Sequence, residues 1–227
     1  MINDLDSTLE ELVRNELRRL REEQPNLPGE LGEITFAFKQ PKSGWNSTGE
    51  SGLALNFFLY DVRENPVLRR HHVETTPNGA NGDGRFVQQK RLPLRLDCFY
   101  LVTAWAAEPR WEHWLLTSCL KILARYAVLP EDQLQGDLKT QPFEIRTKVA
   151  AHDVLTNPAE VWSALGNDLH ASFSYVVTLA LDPWQPITVP VVTTVVTRVG
   201  QLQTPKAGES AQPLPPITRA EDMLEEL

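Results

Sequence analysis

Five histidines, His71, His72, His113, His152 and His170, are the side chains best suited by type to hold a metal or move a proton near neutral pH. Their spacing does not support either task. His71 and His72 are adjacent in a loop, so they point apart and cannot copy the one-face arrangement of an HExxH helix. His113 lies between Trp111 and Trp114 on a helical stretch, and the plain reading of each histidine is a solvated or core-edge residue. No Cys/His set has zinc spacing. Cys98 and Cys119 sit in apolar segments without a CxxC pattern. They form either one disulfide or two buried free thiols, and a reducing compartment favours the thiols. A GxSxG nucleophile elbow is absent. The carboxylate pairs Glu22-Glu23, Glu131-Asp132 and Glu225-Glu226 stand in polar contexts and read as solvated charge. The run Asn78-Gly79-Ala80-Asn81-Gly82-Asp83-Gly84 matches neither GxGxxG nor GxxxxGKS/T. As a calcium loop it has one aspartate and no glutamate at EF-hand distance. Its plain reading is a loop that orders against a partner, with a calcium or small-ligand module as the rival. The sequence therefore points to no catalytic set and no cofactor.

Composition narrows the classes further. The chain has 227 residues, of which 41% are hydrophobic, enough for one domain with a real core and a segment left over. Lys and Arg number 22 against 30 Asp and Glu, a net charge of -8. That argues against a nucleic-acid binder, which carries a basic footprint. Six Trp, 8 Phe and β-branched runs exclude disorder of the whole chain. Residues 1–24 are too charged for a signal peptide, and no window is long and apolar enough to span a membrane. A soluble protein made in the cytoplasm, with no direct membrane insertion, is the expectation.

The elements follow from periodicity. Leu5, Leu9, Leu12, Val13, Leu17 and Leu20 recur at helical steps, with Ser7 and Glu10 as a capping pair and Pro25 and Pro28 as stops. Glu33–Phe38, Leu53–Val62 and Pro93–Ala106 read as strands, the second apolar on both faces at its middle and hence central. Asn65–Gly84 reads as a long loop, and loops of this length are usually functional or disordered. Glu108–Leu129 is a helix with Pro109 in its first turn and Pro130 as its stop. Phe143–Ala150 is a further strand. Asn157-Pro158-Ala159-Glu160 starts a helix with Asn157 as N-cap, and Gly166 ends it. Ser172–Leu181 and Thr188–Val199 are β-rich, the latter an edge strand because of Pro190. After Gly200 the composition turns to linker, closing on a short amphipathic stretch at Thr218–Leu227. The predicted fold is α+β: a mostly antiparallel sheet with helices packed on one side. It divides into a domain at 1–199 and an extended C-terminal arm at 200–227.

This arrangement leaves unpaired backbone at an edge strand, an arm and a glycine loop. Symmetric assemblies exchange such elements between subunits by strand addition or by docking a short helix.

Three segments also carry a family resemblance. They are Leu55-Asn56-Phe57-Phe58-Leu59-Tyr60-Asp61-Val62-Arg63-Glu64-Asn65-Pro66, then Leu92-Pro93-Leu94-Arg95-Leu96-Asp97-Cys98-Phe99-Tyr100-Leu101-Val102-Thr103-Ala104-Trp105, and late in the chain Leu169-His170-Ala171-Ser172-Phe173-Ser174-Tyr175-Val176-Val177. Together they resemble the N-terminal domain of the cap, or tube-terminator, proteins of phage-tail-like contractile injection systems of the antifeeding-prophage and virulence-cassette type. The likeness covers roughly residues 5–182; Cys98 and Phe99 replace the Leu and His that the family often has there.

The resemblance implies a tail-terminator-like fold and a structural part rather than an enzyme. Such a part is a ring of identical copies, a hexamer, on the last disc of the inner tube, where it stops tube growth and anchors the end of the sheath. The implied partners are further copies of the chain, the inner tube protein and the sheath protein, in a particle assembled in the cytoplasm. A baseplate or sheath adaptor is the structural alternative. The expected interface residues fall in three regions: Arg69, Arg70, Arg85 and Arg91 in the loop 66–91; Val191, Val192, Val195, Val196 and Arg198 on the edge strand; and Leu214, Ile217 and Leu224 in the arm. Asn56, Tyr60, Asn65 and Tyr100 are expected to keep the fold or line an interface.

Overall fold

A computed structural model describes residues 1–23, 34–41, 52–70, 72–77, 86–151, 153–154 and 157–191. Helix α1 runs Ile2–Glu23. Its stripe of Leu5, Leu9, Leu12, Val13 and Leu17 is buried. The helix starts earlier than Ser7, which is inside it and donates from Oγ to the Asn3 carbonyl at 3.1 Å. Leu5 is fully buried and must already sit in helical register, which overrides the capping signal.

Five strands form the main sheet: β1 (Thr35–Ala37), β2 (Leu53–Glu64), β5 (Leu94–Ala106), β6 (Arg146–Val149) and β7 (Ser172–Leu181), in the order β1-β2-β5-β7-β6. Among the described strands of this sheet, β1 and β2 pair in parallel and the other neighbours antiparallel. A register shift between Leu59 and Asp61 marks a bulge in β2. Period two then sorts the side chains. Leu55, Phe57, Cys98, Tyr100, Val102, Phe173, Tyr175 and Val177 share one buried cluster with α1 and with helix α2 (Pro109–Arg125). Buried Glu16 ties the two helices, lying 2.8 Å from Arg19 Nη1 and 3.2 Å from Arg125 Nη1.

The long helices thus cover one face, as predicted. The short helix α3 (Pro158–Ala164) adds a smaller layer in which buried Trp162 packs against Leu101 and Trp105. Asn157 caps α3 as expected, accepting from the Glu160 amide at 3.4 Å, and Gly166 follows it at φ 69°.

Two predicted boundaries move. Helix α2 ends at Arg125, well before Pro130, because residues 127–129 are drawn into β-type pairing. The Leu129 amide donates to Ile145 O and the Thr147 amide to Ala127 O, both at 2.9 Å. The expected long loop at 65–84 contains a strand, β3 (Val73–Pro77), antiparallel to β4 (Phe86–Arg91). Strand β8 (Ile187–Pro190) joins β4 on its other side, giving a second sheet in the order β3-β4-β8. Strand β8 is an edge of that sheet, while residues 192–199 of the predicted edge strand and the whole arm lie outside the described residues.

Candidate assembly surface

Of the expected interface residues, Arg69, Arg70, Arg91 and Val191 are described, and the first two follow a corner at the end of β2. Asn65 shapes this corner. Its Oδ1 accepts from the Val67 and Leu68 amides at 3.0 Å each, an Asx turn that ends β2. Its Nδ2 donates to Asp97 at 2.9 Å, fixing the turn to β5. Arg69 and Arg70 emerge from this turn and are exposed. Arg69 Nε sits 3.2 Å from Glu64 Oε1, a surface pair that holds the side chain loosely.

Arg91 ends β4 with its guanidinium over the Trp184 ring, 5.0 Å from the centroid, and the neighbouring Lys90 Nζ lies 2.5 Å from Asp182 Oδ2. These contacts pin the small sheet to the segment leaving β7. Phe86, Val73 and Ile187 are exposed apolar residues of that sheet, and Val191, just beyond β8, is exposed as well. Arg69 and Arg70 precede β3, whose Val73 pairs with Arg91, whereas Val191 follows Pro190, the partner of Phe86 at the other end of β4. Arg85, Val192, Val195, Val196, Arg198, Leu214, Ile217 and Leu224 lie outside the described residues.

The four fold-keeping candidates take distinct positions. Asn56 is buried and accepts from the Lys39 amide at 3.3 Å, linking β2 to the end of β1. The Tyr100 hydroxyl donates to Asp6 on α1. Tyr60 packs tilted against Phe99 with ring centroids 6.2 Å apart. Asn65 closes the corner described above.

Sequence reasoning missed one polar cluster. His170 stacks on Trp105 with centroids 4.2 Å apart and planes 5° from parallel. Its Nε2 is 2.9 Å from the Ala104 carbonyl and 3.8 Å from Glu112 Oε2. Glu112 in turn accepts from the Ala106 amide through Oε1 at 3.2 Å. The cluster staples the end of β5 to α2 and to the approach to β7. No spacing signal in the sequence connects residues so far apart. Among the described residues no group of three His, Cys, Asp or Glu could hold a metal ion, and no helix is long and apolar enough to cross a membrane.

Comparison with known proteins converges on one family. Residues 4–194 match the family model of the Pvc16 N-terminal domain. No curated protein matches the sequence. Among solved structures, the chain is similar to the PVC sheath/tube terminator of an extracellular contractile injection system in its extended state. The TM-score is 0.55 and the identity 22%, over 92% of this chain and 65% of that one. It is also similar to the tube-terminating cap of the anti-feeding prophage, with TM-score 0.50 and 20% identity over 78% of this chain and 58% of that one. The chain thus spans less than two thirds of the length of either. The match through nearly all of the described elements, together with this shared architecture, places the chain in the Pvc16 N-terminal domain family, with the fold of contractile-injection-system tube terminators.

Proposed function

We propose that the protein is a structural cap of a contractile injection system. In this reading copies of the chain close into a ring, a hexamer, on the distal end of the inner tube. The ring stops tube polymerisation and holds the end of the sheath. The observation that carries the reading is the family match across residues 4–194, and the edge position of β8 among the described strands, with Ile187 exposed on it, supports it. An edge strand with free N–H and C=O groups and nearby apolar side chains suits strand addition between subunits. The chain's net charge of -8 sets identical copies against one another, so ring contacts must be local and complementary. Partners are further copies of the chain, the tube protein and the sheath protein; nucleic acid and membrane insertion have no part. The role needs no catalysis, and assembly takes place in the cytoplasm.

In the same reading residues 1–199 are the ring-forming domain and 200–227 an arm that reaches a neighbouring subunit or the sheath. Deleting 200–227 is expected to leave the domain folded and to weaken ring formation or sheath attachment. Mass photometry with and without tube protein, and electron microscopy of assembled particles, read the result. Particles of normal length and contractility from the deletion would remove the arm from the mechanism. Protein found at the baseplate end would remove the cap reading itself.

A further inference from the structure

Where β5 and β6 begin, beside the corner shaped by Asn65, a cleft of about 450 Å³ opens at the surface. Arg70, Arg95 and Arg146 line it together with Phe143, Leu68 and Pro93. The sequence makes this end of β5 polar on one side, since Arg95 and Asp97 alternate with Leu94, Leu96 and Cys98. Arg95 is held in place with its guanidinium 4.5 Å from the Phe143 ring centroid, yet its buried Nε has no hydrogen-bond partner among the described residues. Burial and the neighbouring Arg146 charge hold this guanidinium below its ordinary pKa, Asp97 acting in the opposite sense and Arg70 adding to the repulsion. Glu144 is the single carboxylate of the lining; it stands 3.8 Å from Arg146 Nη2 and is largely exposed. A protein of net charge -8 has thus gathered three guanidinium groups around one exposed aromatic ring.

Three arginines with one carboxylate and an unpaired buried N–H make a receptor for carboxylates, because the guanidinium fork binds them in two-pronged geometry. We propose that the cleft binds an acidic peptide segment, and that the occupant is the chain's own Glu221-Asp222-Met223-Leu224-Glu225-Glu226. This is the densest acidic run in the sequence, with four carboxylates in six residues. Met223 and Leu224 between the acidic pairs supply apolar groups for the Phe143 ring. Reach does not restrict the pairing, since the roughly 30 residues between Val191 and Glu221 extend to on the order of 100 Å. The ring reading gives the arm a task, but the cleft and its occupant do not depend on it.

The test uses the full chain carrying Met223→benzoylphenylalanine, irradiated and mapped by mass spectrometry. Crosslinks are expected in peptides bearing Leu68–Arg70 or Pro142–Arg146. Their yield should fall about tenfold when Glu221, Asp222, Glu225 and Glu226 become their amides, and equally in Arg70→Gln/Arg146→Gln, whose exposed side chains are outside the core. The exchange Arg70→Glu/Arg146→Glu should abolish the crosslink, and Glu225→Lys/Glu226→Lys in the same chain should restore it. Crosslinks mapping elsewhere, including onto tube or sheath protein, or a yield unmoved by these charges, would overturn the proposal. Mass photometry of the unmodified chain with tube protein judges ring formation separately, so failure of the cap reading leaves the crosslink result intact.

Discussion

The Tyr100 hydroxyl donates a 2.8 Å hydrogen bond to Asp6 Oδ1, joining the middle of β5 to the early turns of α1 across 94 residues of chain. Tyr100 is fully buried, so this bond sits at the seam between sheet and helix layer. Burial raises the Asp6 carboxyl above its ordinary value, with the Tyr100 hydrogen bond opposing that rise. Tyr100→Phe leaves the half-buried carboxylate without its donor and should destabilise the protein by about 1–2 kcal/mol in denaturant titrations. The sign of the pH dependence follows. A carboxyl with a raised folded value takes up its proton in the native state first. Its contribution is complete below the ordinary value of about 4 and is lost as pH rises through the folded value. The stability of the wild type relative to Asp6→Asn should therefore fall as pH rises above about 4; a constant difference across that range would contradict the assignment.

Both cysteines are free and buried, which settles the alternative between thiols and a disulfide in favour of thiols. Burial, followed by the charges of Asp97 and Asp6, pushes the Cys98 thiol up to about 11; burial alone raises Cys119. Thiolate is the reactive form, so neither residue should meet a disulfide reagent in the native state. Labelling should proceed only through opening of the fold, roughly 1,000-fold slower than in denaturant or more. Rapid labelling of either thiol at neutral pH would show that the α2–sheet seam opens locally.

The strand β7 was legible to the residue because Phe173–Ala180 is buried throughout and its apolar run needs no tertiary knowledge to be recognised. The same reasoning failed at β3. Every residue of Val73–Pro77 is exposed, so no alternation between core and solvent marks it, and its pairing comes from β4 rather than from its own sequence. The end of α2 was misjudged for a related reason: helix signals continue to Pro130, but β6 competes for the backbone at 127–129. The candidate surface was half legible. Arginine doublets and an edge proline stand out in sequence, whereas the meeting of Arg95, Arg146 and Phe143, or of Glu112 and His170, is made by strand order alone.

Gly136 and Ala150 form a contrasting pair of left-handed positions. Gly136 has φ 52°, and a Cβ built there would lie 2.5 Å from Asp4 Cγ. That carboxylate accepts from the Asp137 amide at 3.1 Å, so moving it aside loses a bond between α1 and the turn. Gly136→Ala should destabilise by about 1–3 kcal/mol. Ala150 adopts φ 49° while its amide donates to Ser174 O at 2.7 Å. Ala150→Gly should be neutral or stabilising by up to about 1 kcal/mol, since the strain removed offsets the added freedom of the unfolded chain. Thermal melts of both variants read the contrast, and equal losses would refute it.

Lys90 with Asp182 ties β4 of the small sheet to the segment after β7. The Lys90 hydrogen bond, reinforced by the Trp184 amide, holds the Asp182 carboxyl below its ordinary value against a smaller opposing effect of burial. A depressed folded value gives the opposite sign to Asp6. This contribution is present above about 4 and lost as pH falls through the folded value. The pair is well exposed, so its effect is modest and local. Asp182→Asn should speed amide exchange in Phe86–Arg91 and Ile187–Pro190 about two- to fivefold at pH 7, leave β5 and β7 unchanged, and match the wild type near pH 3. The global melt should not change. A global loss of stability would mean that the two sheets unfold as one unit and that the pair is a core tie rather than a local clasp.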